Sequence, residues 1–140
     1  MIKSMMMLTL LLALPTASDN VKPLTKQEVI QPKLASAREA LLEAVMLDEK
    51  FAKAHYYLGA VYLRSSSYSD SESELKRALE LDSTLYEARI GLINVFVRQK
   101  KWQAALDNVD TFLLDYPVSP YRQEVASIRL TVVSHLQSSR

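Results

Sequence analysis

Two histidines, His55 and His135, are the side chains of this 140-residue chain best suited to proton transfer or metal binding near neutral pH. Neither has a second ligand or a partner nucleophile at a useful spacing, so no metal centre or general base can be assembled around them. The chain has no cysteine, which removes thiol nucleophiles, cysteine-ligated zinc and disulfide frameworks. Its two glycines cannot build a glycine-rich phosphate loop. The run Ser65-Ser66-Ser67-Tyr68-Ser69-Asp70-Ser71-Glu72 invites a nucleophile or phosphosite reading, but serines clustered there read more simply as a turn and a helix start. Glu72, Lys76 and Glu80 then form an exposed ladder of charges at i, i+4 spacing. Asp107 and Asp110 fall on the polar side of their helix, without the burial an acid catalyst needs. No catalytic, cofactor-binding or metal-binding constellation is expected.

The elements that carry these residues are periodic. At an offset of 34 residues, Ala54 matches Ala88, Leu58 matches Leu92, Val61 matches Val95, Tyr62 matches Phe96 and Arg64 matches Arg98. Leu34, Tyr68 and Trp102 form one series at the same offset, Leu41, Leu75 and Val109 another, and Ala44, Ala78 and Phe112 a third. Within each unit the apolar residues recur at helical spacing, so each unit is two amphipathic helices. The spacing predicts helices at 33–47, 52–65, 69–81, 86–98, 102–115 and 120–137. For the last, Ser119 is the expected cap, Pro120 the first helical residue, and Tyr121, Val125, Ile128, Val132 and Leu136 the inward stripe. Residues 19–32 read as a linker or degenerate first helix, in which the capping box Thr25-Lys26-Gln27-Glu28 starts a short turn that ends before Pro32.

These spacings resemble the tetratricopeptide repeat (TPR) family. Ala52 to Leu85 looks like one complete repeat and Tyr86 to Ser119 a second, with Pro117 at the family's terminal proline position. Residues 33–51 look like a partial repeat, and 120–140 supply a capping helix. The resemblance implies an all-α, right-handed solenoid of helical hairpins. Departures are Ile93 where the first repeat has Gly59, His55 and Arg89 in place of the usual tryptophan, and Glu49 and Ser83 in place of the proline. It also implies a packing role for His55, and close helix approach at Gly59, Ala78, Ala44 and Ala105.

In such a solenoid the first helix of each repeat forms a concave wall that binds a peptide or a partner helix. The residues expected on that wall are Lys53, Tyr56, Ala60, Leu63 and Arg64 from the first repeat, and Glu87, Ile90, Asn94, Val97 and Arg98 from the second. Asn94 and Arg98 resemble part of the clamp with which some members hold a C-terminal carboxylate. Ile90, however, stands where that clamp needs a polar or basic side chain.

Lys3, the apolar run Met5 to Leu14, Pro15 and the small residues Thr16, Ala17 and Ser18 read as a secretory signal peptide over residues 1–18, with cleavage after Ser18. The run is too short to span a bilayer, so the processed chain is expected to be exported without stable membrane insertion. Formal net charge is +1 for the whole chain, which gives no general field toward nucleic acid. Together with the TPR resemblance, and the turn Tyr116-Pro117-Val118-Ser119-Pro120-Tyr121, which looks like one of bacterial envelope TPR proteins, the expectation is a periplasmic or secreted adaptor that binds a protein or peptide. A self-assembling subunit, a homo-oligomer among its forms, and an accessory subunit of an envelope enzyme or secretion complex are the alternatives.

Overall fold

The computed structural model of the protein describes Pro23 and residues 25–138; the expected signal peptide lies outside the described residues. Among them the chain forms six helices and no strand: α1 Lys26–Leu47, α2 Ala52–Arg64, α3 Tyr68–Leu81, α4 Tyr86–Arg98, α5 Trp102–Asp115 and α6 Arg122–Ser138. Each helix packs on the next and α2 also packs on α4, the arrangement of stacked hairpins.

The repeat is visible in backbone and polar detail. Ser66 and Lys100, 34 residues apart, both take a left-handed conformation (φ 60° and 57°) in the turn inside each hairpin. Asp48 and Asp82 cap α1 and α3 with the same backbone angles (φ −146°, ψ 95°), and each carboxylate accepts from the amide two residues on. His55 Nδ1 lies 2.7 Å from Glu74 Oε2, and Arg89 Nη1 donates to Asn108 Oδ1 at 3.2 Å. These two pairs sit one period apart and tie each first helix to its second. His55 is buried, as the family position implies, and its Nε2 is also 3.1 Å from the Glu49 carbonyl.

Leu75 is the packing centre. It is fully buried, and a Cβ placed on Gly59 would come within 2.7 Å of its Cγ, while one on Gly91 would come within 2.9 Å of both its methyls. Two first helices thus close on one leucine because both lack a side chain there. Gly59 was expected to allow close approach; Gly91 does the same work at a position the repeat alignment does not mark. Ser71 occupies the equivalent of Ala105 and remains fully buried because its hydroxyl donates to the Gly59 carbonyl at 2.7 Å.

Three expectations are corrected. First, α1 does not begin at residue 33, and residues 25–32 are neither linker nor an isolated turn. The capping box forms, with Thr25 N–H donating to Glu28 Oε2 at 2.7 Å and Glu28 N–H to Thr25 Oγ1 at 3.3 Å, and the helix then runs through Pro32. Proline leaves one upstream carbonyl, that of Glu28, without its helical donor, and Glu28 is exposed so that water can supply one. Second, α6 starts at Arg122; Pro120 lies in the preceding turn, where Ser119 Oγ accepts from the Tyr121 amide at 3.3 Å. Tyr121 is 43% exposed and leaves the inward stripe. Val125 and Val132 are buried, and Ile128 and Leu136 pack beside them over Trp102, Leu106, Val109 and Phe112. Third, the charge ladder stops early. Lys76 pairs with Glu72 at 2.6 Å, but Glu80 pairs with Arg77, and Lys101 reaches Glu72 instead.

His135 is exposed and stacks on Trp102, with ring centroids 4.2 Å apart. Asp107 and Asp110 are exposed; Asp107 accepts from Gln103, and Asp110 pairs with Arg129 of α6.

Candidate functional site: the wall formed by α2 and α4

The side-by-side packing of α2 and α4 brings their residues together at two ends. Toward the helix C-termini, Leu63, Arg64, Asn94 and Arg98 line one open cleft of about 460 Å³. Its opposite side comes from the first turns of α1, through Lys26, Gln27, Ile30, Gln31 and Leu34. Arg64 and Arg98 are exposed, and neither has an acidic side chain within ion-pairing distance among the described residues. The lining therefore carries three cations, three amides, three aliphatic side chains and no acid.

Toward the helix N-termini the wall is aromatic and acidic. Tyr56 is half-buried with its ring 4.9 Å from that of Tyr57, and Tyr86 lies 6.0 Å from both Tyr116 and Tyr121. Burial, followed by the nearby Glu87 carboxylate, pushes the Tyr56 phenol up from its ordinary range. Glu87, followed by burial, pushes the Tyr86 phenol up as well. Both phenols thus stay neutral hydrogen-bonding groups through the physiological range. Tyr121, displaced from the core stripe, belongs to this aromatic group.

The remaining expected wall residues divide by role. Ile90 and Val97 are half-buried and pack against the cluster of Ile93, Val109, Phe112 and Val125, so they support the wall as well as lining it. Ala60 is half-buried. Lys53 is exposed and sits near Asp82, whose carboxyl is held low mainly by the Thr84 hydroxyl and amide, with Lys53 contributing least. It therefore stands at the loop rim, apart from the cleft. Reading the repeat gave the α2 and α4 contributions but missed those of α1, since Pro32 marked a break there; the capping box at Thr25 was the signal available.

A second cleft, of similar volume, is lined by Ser83, Thr84, Arg89, Asp115 and Tyr116, where acid and base offset each other. Among the described residues no group of three His, Cys, Asp or Glu side chains could hold a metal ion, and no helix is long and apolar enough to cross a membrane.

No protein-family model matches the sequence, and no curated protein matches it either. Among solved structures, the chain is similar in fold to the TPR2B domain of yeast Sti1 in its complex with pHsp70, with a TM-score of 0.69. The two share 16% identity over 79% of this chain and 90% of that one. The chain has a TPR-like helical-repeat fold.

Proposed function

We propose that the protein is a non-catalytic interaction module that holds a peptide or helix of a partner protein against the wall formed by α2 and α4, as an exported adaptor of a bacterial cell envelope. The observation that carries the reading is the open cleft in which Leu63, Arg64, Asn94 and Arg98 converge with unpaired cations and no acid. Such a surface meets the requirements for a polypeptide ligand: an apolar floor that gains from burial, and charged and amide groups at the edge that fix register. The similarity in fold to a domain solved in a complex with pHsp70 supports the same use of the surface. Export and a bacterial envelope rest on the order of charged, apolar and small residues over 1–18.

The test is crosslinking in intact cells followed by identification of what is captured, run with the native chain and with the double variant Arg64→Glu, Arg98→Glu. Capture that vanishes in the variant at unchanged helicity is the expected result; undiminished capture refutes the assignment.

One observation favours self-association as a second reading. α1 packs on α2 but leaves Met46 and Leu47 82% exposed, with Phe51 and Leu42 partly so, and another copy could cover that apolar surface. Light scattering over a range of concentrations separates the two readings.

A further inference from the structure

Arg64 and Arg98 have a structural explanation: each lies in the last turn of its helix, where a cation offsets the negative end of the helix dipole. Lys26 does not. It is the first residue of α1, at the positive end of that helix dipole, where a cation is disfavoured, and yet it lines the same cleft as the two arginines. Three cations held together without an acid repel one another and are stabilised only when an anion joins them. The amides of Gln27, Gln31 and Asn94 add donors around the same space.

The far end of the wall has the opposite character, with Glu87 flanked by the Tyr56 and Tyr86 phenols. Glu87 and Arg98 are both on α4, eleven residues apart, which is about 16 Å at the helical rise. An extended peptide covers that span with about five residues.

Resting on the groove reading above, the geometry points to a ligand of one chemical class: an extended segment with a carboxylate seated among Lys26, Arg64 and Arg98, and a cationic or other donor side chain about five residues away beside Glu87. An apolar side chain next to the carboxylate lies on Ile30 and Leu63. The first turns of α1 are thus part of the binding site, and Lys26 is a specificity-determining residue outside the repeated helices.

The probes are labelled hexapeptides acetyl-Lys-Ala-Ala-Ala-Leu-X, titrated into the full-length protein by fluorescence anisotropy. X is Glu amide, which offers a side-chain carboxylate, Gln free acid, which offers a terminal one, or Gln amide, which offers none. The better carboxylate probe is expected to bind about tenfold more tightly than the Gln amide, the worth of one charge-assisted hydrogen-bonded contact. Which carboxylate wins identifies its source. Lys26→Gln, on an exposed residue, should reduce that ratio several-fold while leaving circular dichroism and the affinity for the Gln amide unchanged. Equal binding of all three probes, a ratio insensitive to Lys26→Gln, or no binding at millimolar peptide overturns the inference. Partner capture in cells that still depends on Arg64 and Arg98 would, in those cases, leave the groove reading standing; loss of both overturns the two together.

Discussion

Replacing Gly59 by alanine sets two opposing effects of known size against each other. An alanine in a helix interior is favoured over glycine by about 1 kcal/mol. Against this, the new Cβ would lie 2.7 Å from Leu75 Cγ, 2.9 Å from its Cδ2 and 3.3 Å from its backbone nitrogen. The nearest atom is the branch point of a fully buried side chain, not a free end that can swing away, and the backbone nitrogen blocks retreat of the helix itself. Overpacking of this kind costs roughly 1–3 kcal/mol, and this geometry belongs in the upper part of that range. The net expectation for Gly59→Ala is destabilisation by about 1–2 kcal/mol. The contact partner can be removed: Leu75→Ala alone should cost about 2–5 kcal/mol through lost burial and the cavity left behind. In that background Gly59→Ala meets no clash, and its effect should reverse to stabilisation of about 1 kcal/mol. Urea unfolding followed by far-ultraviolet circular dichroism measures all four corners of the cycle, with a constant m-value as the control. A stabilising Gly59→Ala in the native background, or the same sign in both backgrounds, would show that Leu75 does not hold α2 and α3 at the distance argued here.

Gly91→Ala meets only the methyl ends of Leu75 at 2.9 Å, so its effect on the same unfolding curve should be smaller than that of Gly59→Ala. Deleting residues 120–140 removes Val125 and Val132 from the surface of α5, and the expected result is loss of the cooperative melt or aggregation; an unchanged cooperative transition refutes the capping role of α6. The Glu28 carboxyl is held below its ordinary value, mainly by the Thr25 hydroxyl and then by its backbone amide. Because the folded value is the lower one, this contact supports the start of α1 above the ordinary glutamate range and is lost as pH falls through the folded value. Amide exchange at residues 28–30 should therefore quicken on acidification in the native chain, and be fast at every pH in Thr25→Ala. His55→Ala removes a buried ring that joins Glu74 to the Glu49 carbonyl, and should lower stability by about 1–3 kcal/mol in denaturant unfolding. An exposed change such as Asp107→Ala serves as the near-neutral comparison.

The amino-acid order alone determined the helices from Ala52 to Asp115, because apolar spacing fixes which face of each helix is buried and the 34-residue return fixes that successive hairpins bury equivalent faces. It also placed Arg64, Asn94 and Arg98 on one wall, since residues one period apart on stacked helices are neighbours. Periodicity carries no information about positions that lie outside the repeat or about how the end of one helix meets the side of another. Only the tertiary structure decided that α1 continues past Pro32 to bring Lys26 opposite the two arginines, that Tyr121 joins Tyr86 rather than the core, and that Gly91 shares Leu75 with Gly59. Each of these depends on a distance between elements set by the shape of intervening side chains, which a pattern of residue types along one helix does not specify.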